Sequence, residues 1–492
     1  MGSIDITTTL ASLPDDFDWG FATASYQIEG GVAEGGRGPC IWDTFCHLEP
    51  TRTKGANADV ACDHYRRYEE DFDLLQKYGA PSYRFSLSWS RIIPIGGRND
   101  PINEAGIDFY NRLIDALLAR DIVPWVTLHH WDLPLGIHDR YGGWLNVEES
   151  QADFEHFARL CYERFGDRVK HWITLNEPWI ISVFGYSSGI NAPGRSSTNP
   201  EASEGDSTRE PWTVGKALIM SHARAVNVYN KEFRQTQKGV IGISLNGDYY
   251  EPWDASEPKD TEAAERRMQF HIGWFANPIF LKQDYPECMR QQLGDRLPTF
   301  SADDMAILQE AETDFYGMNY YTGQFARHIS GPADQNDFKG NVDELQDDKE
   351  GRPVGTKSGL GWLRSCPDLF RKHLTRVYRL YGKPIYITEN GCPCPGEATM
   401  TREESVQDTY RQQYFADHLD AICKSISEDG SDIKGYLAWS LMDNLEWSDG
   451  YGPRFGVTFT DYNTLERTPK QSALLLGKMI ESRKKSAVQA SQ

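Results

Sequence analysis

Strand-like and helix-like segments alternate along nearly the whole chain, and this alternation restricts its fold more than any other feature. Segments rich in β-branched and aromatic residues read as buried strands, at 17–25, 82–89, 122–131, 171–178, 240–246, 315–322, 384–390 and 433–443. Between them, apolar residues recur at helical spacing, most clearly over 103–120 and 404–429. Eight strands alternating with helices predict an α/β fold, a single closed (β/α)8 TIM barrel.

The domain organisation follows from the absence of any break in the sequence. No internal repeat, proline-rich or glycine/serine-rich linker, or shift in composition divides the 492 residues. We therefore expect one catalytic domain over 1–492, because α/β barrels often exceed the usual length of a domain. A polar, acidic segment at about 328–362 reads as a surface insertion before the seventh strand. A mobile loop is the expected structure there, and a lid is the alternative.

The charge and the cysteine content narrow the expected partners and the expected cellular compartment. The chain has 51 basic and 72 acidic residues, a net charge of −21 at pH 7, which disfavours nucleic acid and anionic membranes as partners. No apolar run is long enough to span a membrane, and the N-terminus lacks the pattern of a secretion signal. The 9 cysteines form no CxxC pair and no Asn-x-Ser/Thr acceptor occurs. A cytoplasmic, reducing location is predicted.

Polar and aromatic residues gather at or just beyond the predicted strand ends. In a parallel barrel these ends meet at one mouth, where the chemistry of such folds is placed. The residues in question are Gln27, Arg84, His130, Trp131, Asn176, Glu177, Asn319, Tyr321, Glu389, Trp439, Glu446 and Trp447. Convergent hydrogen-bonding groups beside indole rings suit a hydroxyl-rich ligand whose C–H faces stack on aromatics. The set therefore predicts a sugar site.

Two glutamates in this set, Glu177 and Glu389, suggest paired acid/base and nucleophilic chemistry on a glycoside. If Arg84 and Tyr321 reach Glu389, they should keep it ionised, which makes it the candidate nucleophile. Glu177 reads as the drier carboxyl, with a raised pKa, and hence as the candidate acid/base. The alternative is that each glutamate caps a helix or forms a structural salt bridge.

The motifs around these residues resemble those of glycoside hydrolase family 1, the retaining β-glucosidases. TLNEP contains Glu177 and ITENG contains Glu389; FDWGFATASYQIEGG, YRFSLSWSRI, GGWLN, YGMNYYT, AWSLMDNLEWSDGY and RFGVTFTDY occur in the family's order. The likeness extends from about Leu13 to Ile480. It implies a (β/α)8 barrel that removes terminal β-D-glucosyl residues from cellobiose, short cello-oligosaccharides or aryl β-glucosides by double displacement.

The resemblance also implies roles for individual residues. The non-reducing glucosyl unit would be held by a set of polar and indole side chains: Gln27, His130, Asn176, Trp439, Glu446 and Trp447. Asn319 and Tyr321 would orient the nucleophile, and Phe455 would close the inner wall. Trp179, Phe184 and Trp362 would line the entrance for the leaving group. The 6-phospho-glucosidases of the family have serine at the position of Glu446, so an acidic Glu446 predicts rejection of a phosphorylated sugar.

Metal-dependent and dinucleotide-dependent functions have weaker support in the sequence than a glycosidase. Neighbouring strand residues point to opposite faces, so His129 and His130 are poorly placed to share a metal ion, and no HExxH motif occurs. No G-x-G-x-x-G follows a strand to hold a dinucleotide. Neither a metal nor a cofactor is expected. A sugar-binding protein without catalysis, and a β-glycosidase that prefers galactosides or fucosides, remain as alternatives, and the oligomeric state is open.

Overall fold

Eight parallel strands form a closed barrel in the computed structural model, which describes residues 9–490. The strands are β1 (Asp18–Ala22), β2 (Ser82–Ser86), β3 (Val123–His129), β4 (His171–Asn176), β5 (Val240–Asn246), β6 (Phe315–Asn319), β7 (Ile385–Glu389) and β8 (Ile433–Trp439). Each pairs with its neighbours in sequence, and β1 pairs with β8 to close the ring. The predicted (β/α)8 barrel is confirmed.

Helices separate consecutive strands. The longer ones are His64–Lys77, Glu104–Leu118, Val147–Phe165, Glu210–Val228, Pro258–Met268, Pro367–Tyr381, Thr409–Ser427 and Gln471–Ala490. The shorter ones are Ser25–Ile28, Ile41–Leu48, Trp89–Ile92, Leu135–Tyr141, Pro178–Tyr186, Arg234–Gln237, Trp274–Ala276, Glu287–Leu293, Ala302–Glu310 and Arg402–Ser405. The helix expected over 404–429 is interrupted at Asp408, whose backbone leaves the helical region at φ 20° while its carboxylate accepts from Arg411 and Ser472.

The amino end of the barrel is closed by polar and aromatic packing. Asp18 of β1 accepts hydrogen bonds from Trp125 Nε1 at 2.7 Å and from Ser82 Oγ at 2.5 Å. The Trp125 ring is buried and stacks on His171, with ring centroids 4.3 Å apart. This packing leaves the carboxyl end as the place for a ligand, in keeping with other barrels of this kind.

Irregular pairing occurs at the ends of β4 and β7. Ile173 and Asn176 are three positions apart, whereas their partners on β5 are two apart. Ile387 and Glu389 are two positions apart, but their partners on β6 are adjacent. Each strand therefore has one extra residue, a β-bulge, beside its polar end. A bulge bends the strand and changes the direction of the side chains that follow.

The polar segment at 328–362 is partly strand. Val342–Leu345 pairs with Gly323–His328, which pairs with Tyr249–Pro252; Thr356–Lys357 pairs with Arg364–Ser365; a separate hairpin joins Thr458–Thr460 to Arg467–Pro469. Glu344 of this segment accepts a hydrogen bond at 2.6 Å from Nε of the buried Arg267. The acidic composition suggested a loop, but this charge has a buried partner distant in sequence, so part of the segment is fastened to the helix Pro258–Met268.

Two further expectations concern the chain as a whole. Between residues 9 and 490 no helix combines the length and the apolar character needed to cross a bilayer. All nine cysteines lie in this range and have free thiols, as the sequence pattern indicated. The N-terminal stretch judged for a secretion signal begins at residue 1, and its first eight residues lie outside the described range.

Candidate active site

Glu389 ends β7 at the mouth of the barrel and is held by two charged or polar donors. Arg84 Nη1 donates to its Oε1 at 2.7 Å, and the Tyr321 hydroxyl donates to its Oε2 at 2.7 Å. Arg84 itself is fully buried on β2. Both contacts expected from the sequence are present, and both stabilise the ionised carboxylate.

Glu177 follows β4 and has a different environment. Its Oε1 accepts from Asn319 Nδ2 at 2.7 Å, and within residues 9–490 no cationic side chain donates to it. Burial and the Glu389 charge raise the pKa of Glu177 well above its ordinary value, whereas at Glu389 the rise in pKa caused by burial is opposed by Arg84 and Tyr321. When Glu177 and Glu389 together carry one proton, it therefore resides mainly on Glu177.

The expectation that Glu177 is the drier carboxyl is wrong. Glu177 is 6% exposed and Glu389 is 3% exposed, so burial does not distinguish them. What separates their affinities for a proton is the neighbouring charge, because Arg84 lies against only one of the two carboxylates.

Asn176 connects the strand ends. Its Oδ1 accepts from Arg84 Nη2 at 2.7 Å and from Asn319 Nδ2 at 3.0 Å. Since an arginine can only donate, the Nδ2 group of Asn176 must be the one facing His130 Nε2, 3.0 Å away. His130 Nε2 therefore accepts. Burial, with the nearby Arg84 charge, lowers the pKa of His130 well below its ordinary value, so the imidazole is neutral.

Three aromatic rings surround His130. It stacks on Trp439 and on Trp447, with ring centroids 5.9 Å apart in each case. The ring centroids of Trp131 and Trp447 are 4.5 Å apart. Trp131, Trp447 and Glu177 have positive φ angles of 73°, 51° and 48°. Such backbone strain costs about 1–2 kcal/mol per L-residue and concentrates at functional sites. The mouth of this barrel is therefore held in an unfavourable local geometry by its surroundings.

Gln27 lies on the short helix Ser25–Ile28, beyond β1 and not within the strand. Its Nε2 donates to the Asn444 side chain at 3.0 Å and to the Leu445 carbonyl at 2.7 Å. Its Oε1 is buried and has no partner among the described residues. The amide is thus tied to the loop after β8 through one end only.

Glu446 lies in the same loop, and its side chain is partly exposed. Desolvation, with the charges of Asp449 and Glu389, raises the pKa of Glu446 to about 8. The sequence-based interpretation assumed an ionised Glu446 that repels a sugar phosphate, whereas a pKa of about 8 favours the neutral carboxyl at pH 7.

Comparison with known proteins identifies the family of this chain. The sequence profile of Glycosyl hydrolase family 1 matches residues 9–485. The chain belongs to glycosyl hydrolase family 1. Beta-glucosidase 1B of Phanerodontia chrysosporium is 51% identical over 464 residues, 94% of this chain and 85% of that protein. The predictions of this family and of a β-glucosidase are confirmed.

Solved family 1 structures share the fold over nearly their full length. The GH1 beta-glucosidase of the fungus Humicola insolens, in complex with glucose, has a TM-score of 0.93 and 49% identity, covering 96% of this chain and 98% of that one. A mutant of the rice Os3BGlu6 beta-glucosidase, in a covalent complex with Glc, has a TM-score of 0.92 and 42% identity, covering 96% and 99%.

Sequence reasoning missed three hydroxyl side chains in this family 1 site. Thr388 donates to Asn319 Oδ1 at 2.6 Å and accepts from Ser244 at 2.9 Å, and Thr127 accepts from Arg84 Nε at 3.0 Å. Together they orient the groups that contact the two glutamates. Thr388 immediately precedes Glu389, but a threonine inside a strand is ordinary, so only its contacts reveal it.

The outer residues proposed for the leaving group lie in two places. Trp179 is buried and packs edge-on against Phe184, with centroids 5.7 Å apart. Trp362 is 46% exposed and lies edge-on to Tyr321 at 6.2 Å. Phe455 contacts the same tyrosine edge-on at 5.8 Å. Trp362 and Phe455 are thus grouped around Tyr321, while Trp179 and Phe184 form a separate aromatic pair.

Proposed function

We propose that this family 1 β-glucosidase removes the terminal, non-reducing β-D-glucosyl residue of cellobiose, short cello-oligosaccharides or aryl β-glucosides by double displacement. The observation that carries the proposal is the unequal environment of two buried carboxyls. Glu389 accepts from a guanidinium and a phenol, whereas Glu177 accepts from an amide. Unequal affinities for a proton are what a nucleophile and an acid/base catalyst need.

In the first displacement the Glu389 carboxylate attacks the anomeric carbon while the bond to the leaving oxygen breaks. Glu177 gives its proton to that oxygen, so the aglycone departs as a neutral alcohol. In the second, the deprotonated Glu177 takes a proton from water, whose oxygen attacks the anomeric carbon and releases Glu389. Arg84 and Tyr321 favour the ionised Glu389 at the start and end of the cycle.

Binding of the sugar is assigned to the surrounding polar and aromatic side chains. The set comprises Gln27, His130, Trp131, Asn176, Trp439, Glu446 and Trp447, with Phe455 as the inner wall and Trp179, Phe184 and Trp362 toward the leaving group. Asn319 acts on both carboxyls, because it donates to Glu177 at 2.7 Å and also lowers the pKa of Glu389. Support comes from the buried, convergent contacts described above and from a relative whose structure contains glucose.

The stereochemistry of the product tests the double displacement. Two inversions at the anomeric carbon give retention, so β-glucose should be the first product from an aryl β-glucoside. Proton NMR in the first minutes, before mutarotation, distinguishes the two anomers. The same sample without enzyme provides the control for spontaneous mutarotation. α-Glucose as the first product would exclude a covalent intermediate on Glu389.

The raised pKa of Glu446 predicts a pH-dependent effect on stability. The folded pKa is about 8 and the ordinary value is 4.5, so the unfolded chain releases this proton first as pH rises. The stability contributed by the neutral group is therefore lost progressively from about pH 4.5 to about pH 8. Glu446→Gln has no proton to lose, so its unfolding temperature should rise relative to the unmodified protein as pH increases across this range.

An exposed glutamate provides the control for that measurement. Glu403→Gln changes a side chain that is 75% exposed, so it should alter the unfolding temperature only slightly. A constant difference between Glu446→Gln and the unmodified protein from pH 5 to pH 8 would contradict a raised pKa at Glu446. Glucoside turnover by Glu446→Gln is expected to fall, since a sugar contact changes.

We further propose one catalytic domain over 1–492, a cytoplasmic location and a role in cellulose degradation. Free thiols throughout the described chain and the lack of an N-glycosylation acceptor support a reducing compartment. Cleavage of cellobiose would supply the link to cellulose. Activity on cellobiose, measured as glucose released, tests that link, and no release would remove it.

A further inference from the structure

The amide of Gln27 has a single allowed orientation. Of its two ends, Nε2 contacts the Leu445 carbonyl at 2.7 Å and Asn444 Oδ1 at 3.0 Å. A backbone carbonyl can only accept, so a donor must face Leu445, and the nitrogen of Gln27 cannot exchange places with its oxygen. Gln27 Oε1, buried and without a partner among the described residues, is the end left for a ligand.

Asn444 enforces the same orientation from the other side. This residue is 3% exposed, and its Nδ2 donates to Ser440 Oγ at 2.9 Å and to the Met442 carbonyl at 3.0 Å. Because the Met442 carbonyl can only accept, the Asn444 oxygen must face Gln27. Two backbone carbonyls, at Met442 and Leu445, thus set the direction of both amides.

Buried charges hold the backbone that carries Asn444. The preceding residue, Asp443, is fully buried and accepts from Lys470 Nζ at 2.8 Å and from Arg454 Nη1 at 2.8 Å. The Gly456 N–H donates to the same carboxylate at 3.0 Å. Breaking a buried ion pair leaves an uncompensated charge, which strongly opposes movement of this loop.

We propose that Asn444 is a positioning residue that determines specificity at one hydroxyl of the sugar. Together with the Leu445 carbonyl, Asn444 holds the Gln27 nitrogen and leaves Oε1 as an acceptor, so a substrate must offer a hydroxyl donor there. The inference rests on the proposed glucoside site. An analogue without that hydroxyl leaves Gln27 Oε1 buried and unpaired, which is the costly outcome in such sites.

A double-mutant cycle tests whether Asn444 acts through Gln27. Gln27→Ala should lower kcat/KM for an aryl β-glucoside about tenfold to a hundredfold, the cost of a lost buried hydrogen bond. Asn444→Ala should lower it less, because Gln27 then remains and keeps its contact with the Leu445 carbonyl, but loses the second contact that holds its amide in place. The double variant should resemble Gln27→Ala alone, since Asn444 has no effect without the amide it orients.

Substrates that lack one hydroxyl provide a second readout. Aryl β-glucosides that are deoxy at the 3-, 4- or 6-position should each be cleaved more slowly than the parent by the unmodified protein. At one of these positions the penalty should shrink in both Gln27→Ala and Asn444→Ala, and it should persist at the others. A residue that only stabilises the fold would not change the penalty at one position selectively.

Asn227→Ala serves as the matched control. This buried asparagine lies on the helix Glu210–Val228 and donates to the Ile307 carbonyl at 3.0 Å. The variant should lower the unfolding temperature and leave kcat/KM and the deoxy pattern unchanged. If Asn444→Ala does not fold, Asn444→Ser, which is too short to reach Gln27, takes its place in the cycle.

The outcomes separate the inference from the function on which it rests. Multiplicative losses in the double variant, or deoxy penalties that do not change in Asn444→Ala, would overturn the positioning role. A Gln27→Ala variant with unaltered kcat/KM would instead overturn the proposed placement of the sugar at Gln27. Non-additivity with one altered hydroxyl preference supports both.

Discussion

Alanine at position 389 is expected to lower glucoside hydrolysis by about 10⁴- to 10⁶-fold, the scale seen when a covalent nucleophile is removed. The change deletes the carboxylate that Arg84 and Tyr321 hold at 2.7 Å. Glu177 and the proposed sugar-binding side chains remain. A water molecule in the space that is left lacks a base on that side, so neither displacement can proceed.

Azide should restore turnover in Glu389→Ala with an activated aryl β-glucoside. A small anion fits where the carboxylate was, beside the retained Arg84, and attacks the anomeric carbon from the same side. One displacement inverts the centre, so the product should be the α-glucosyl azide, which proton NMR identifies. Azide added to the unmodified protein is the control and should not produce this anomer. Rescue that gives only the β-azide would contradict the assignment of Glu389 as nucleophile.

Glu177→Gln is expected to have the second largest effect, and its size should depend on the leaving group. Cellobiose needs protonation of its leaving oxygen, so its cleavage should fall by about 10²- to 10⁴-fold, the usual contribution of a general acid. Dinitrophenolate leaves without needing a proton. With a dinitrophenyl glucoside, formation of the glycosyl-enzyme should therefore be much less affected. In Glu177→Gln the attack of water lacks its base and becomes slow. The burst of released dinitrophenolate therefore measures formation of the glycosyl-enzyme separately.

The pH profile of the same variant checks which group sets each limb. In the unmodified protein kcat/KM should fall at low pH as Glu389 gains a proton, and at high pH as Glu177 loses one. The second limb should lie well above the ordinary glutamate range, because burial and the Glu389 charge raise the pKa of Glu177. Glu177→Gln should abolish this alkaline limb and retain the acidic one.

Glu446 offers the competing explanation for the alkaline limb, since its pKa is also raised, to about 8. Glu446→Gln should therefore be profiled in parallel. If Glu177 is the general acid, the limb persists in Glu446→Gln and vanishes in Glu177→Gln. The reverse result would remove Glu177 from the acid role and make the ionisation of Glu446 responsible.

The architecture of this protein could be predicted from its sequence because the signals involved are local. Apolar periodicity over a few residues separates strands from helices, and eight alternations leave little choice of fold. Strand ends in a parallel barrel converge, so Glu177 and Glu389 could be placed at one mouth without knowledge of their contacts. The pairing of Arg84 with Glu389 was accessible for the same reason.

Orientation, exposure and proton affinity were decided by the tertiary structure. The strands β4 and β7 have bulges just before Asn176 and Glu389. These bulges depend on the register of each strand with its neighbour, and no local sequence pattern marks them. Glu177 differs from Glu389 through the position of a guanidinium and not through burial, contrary to the sequence-based expectation.

The same limit applies to the loop after β8. The sequence predicted an ionised Glu446 near the sugar, but desolvation in the fold and the charges of Asp449 and Glu389 raise its pKa to about 8. Asn444 reaches Gln27 across 417 positions of the chain. The identity of a residue and its immediate neighbours determine its chemistry and local conformation. Its pKa and the direction of its hydrogen bonds depend on groups brought near only by folding, because desolvation and Coulomb interactions act through space and not along the sequence.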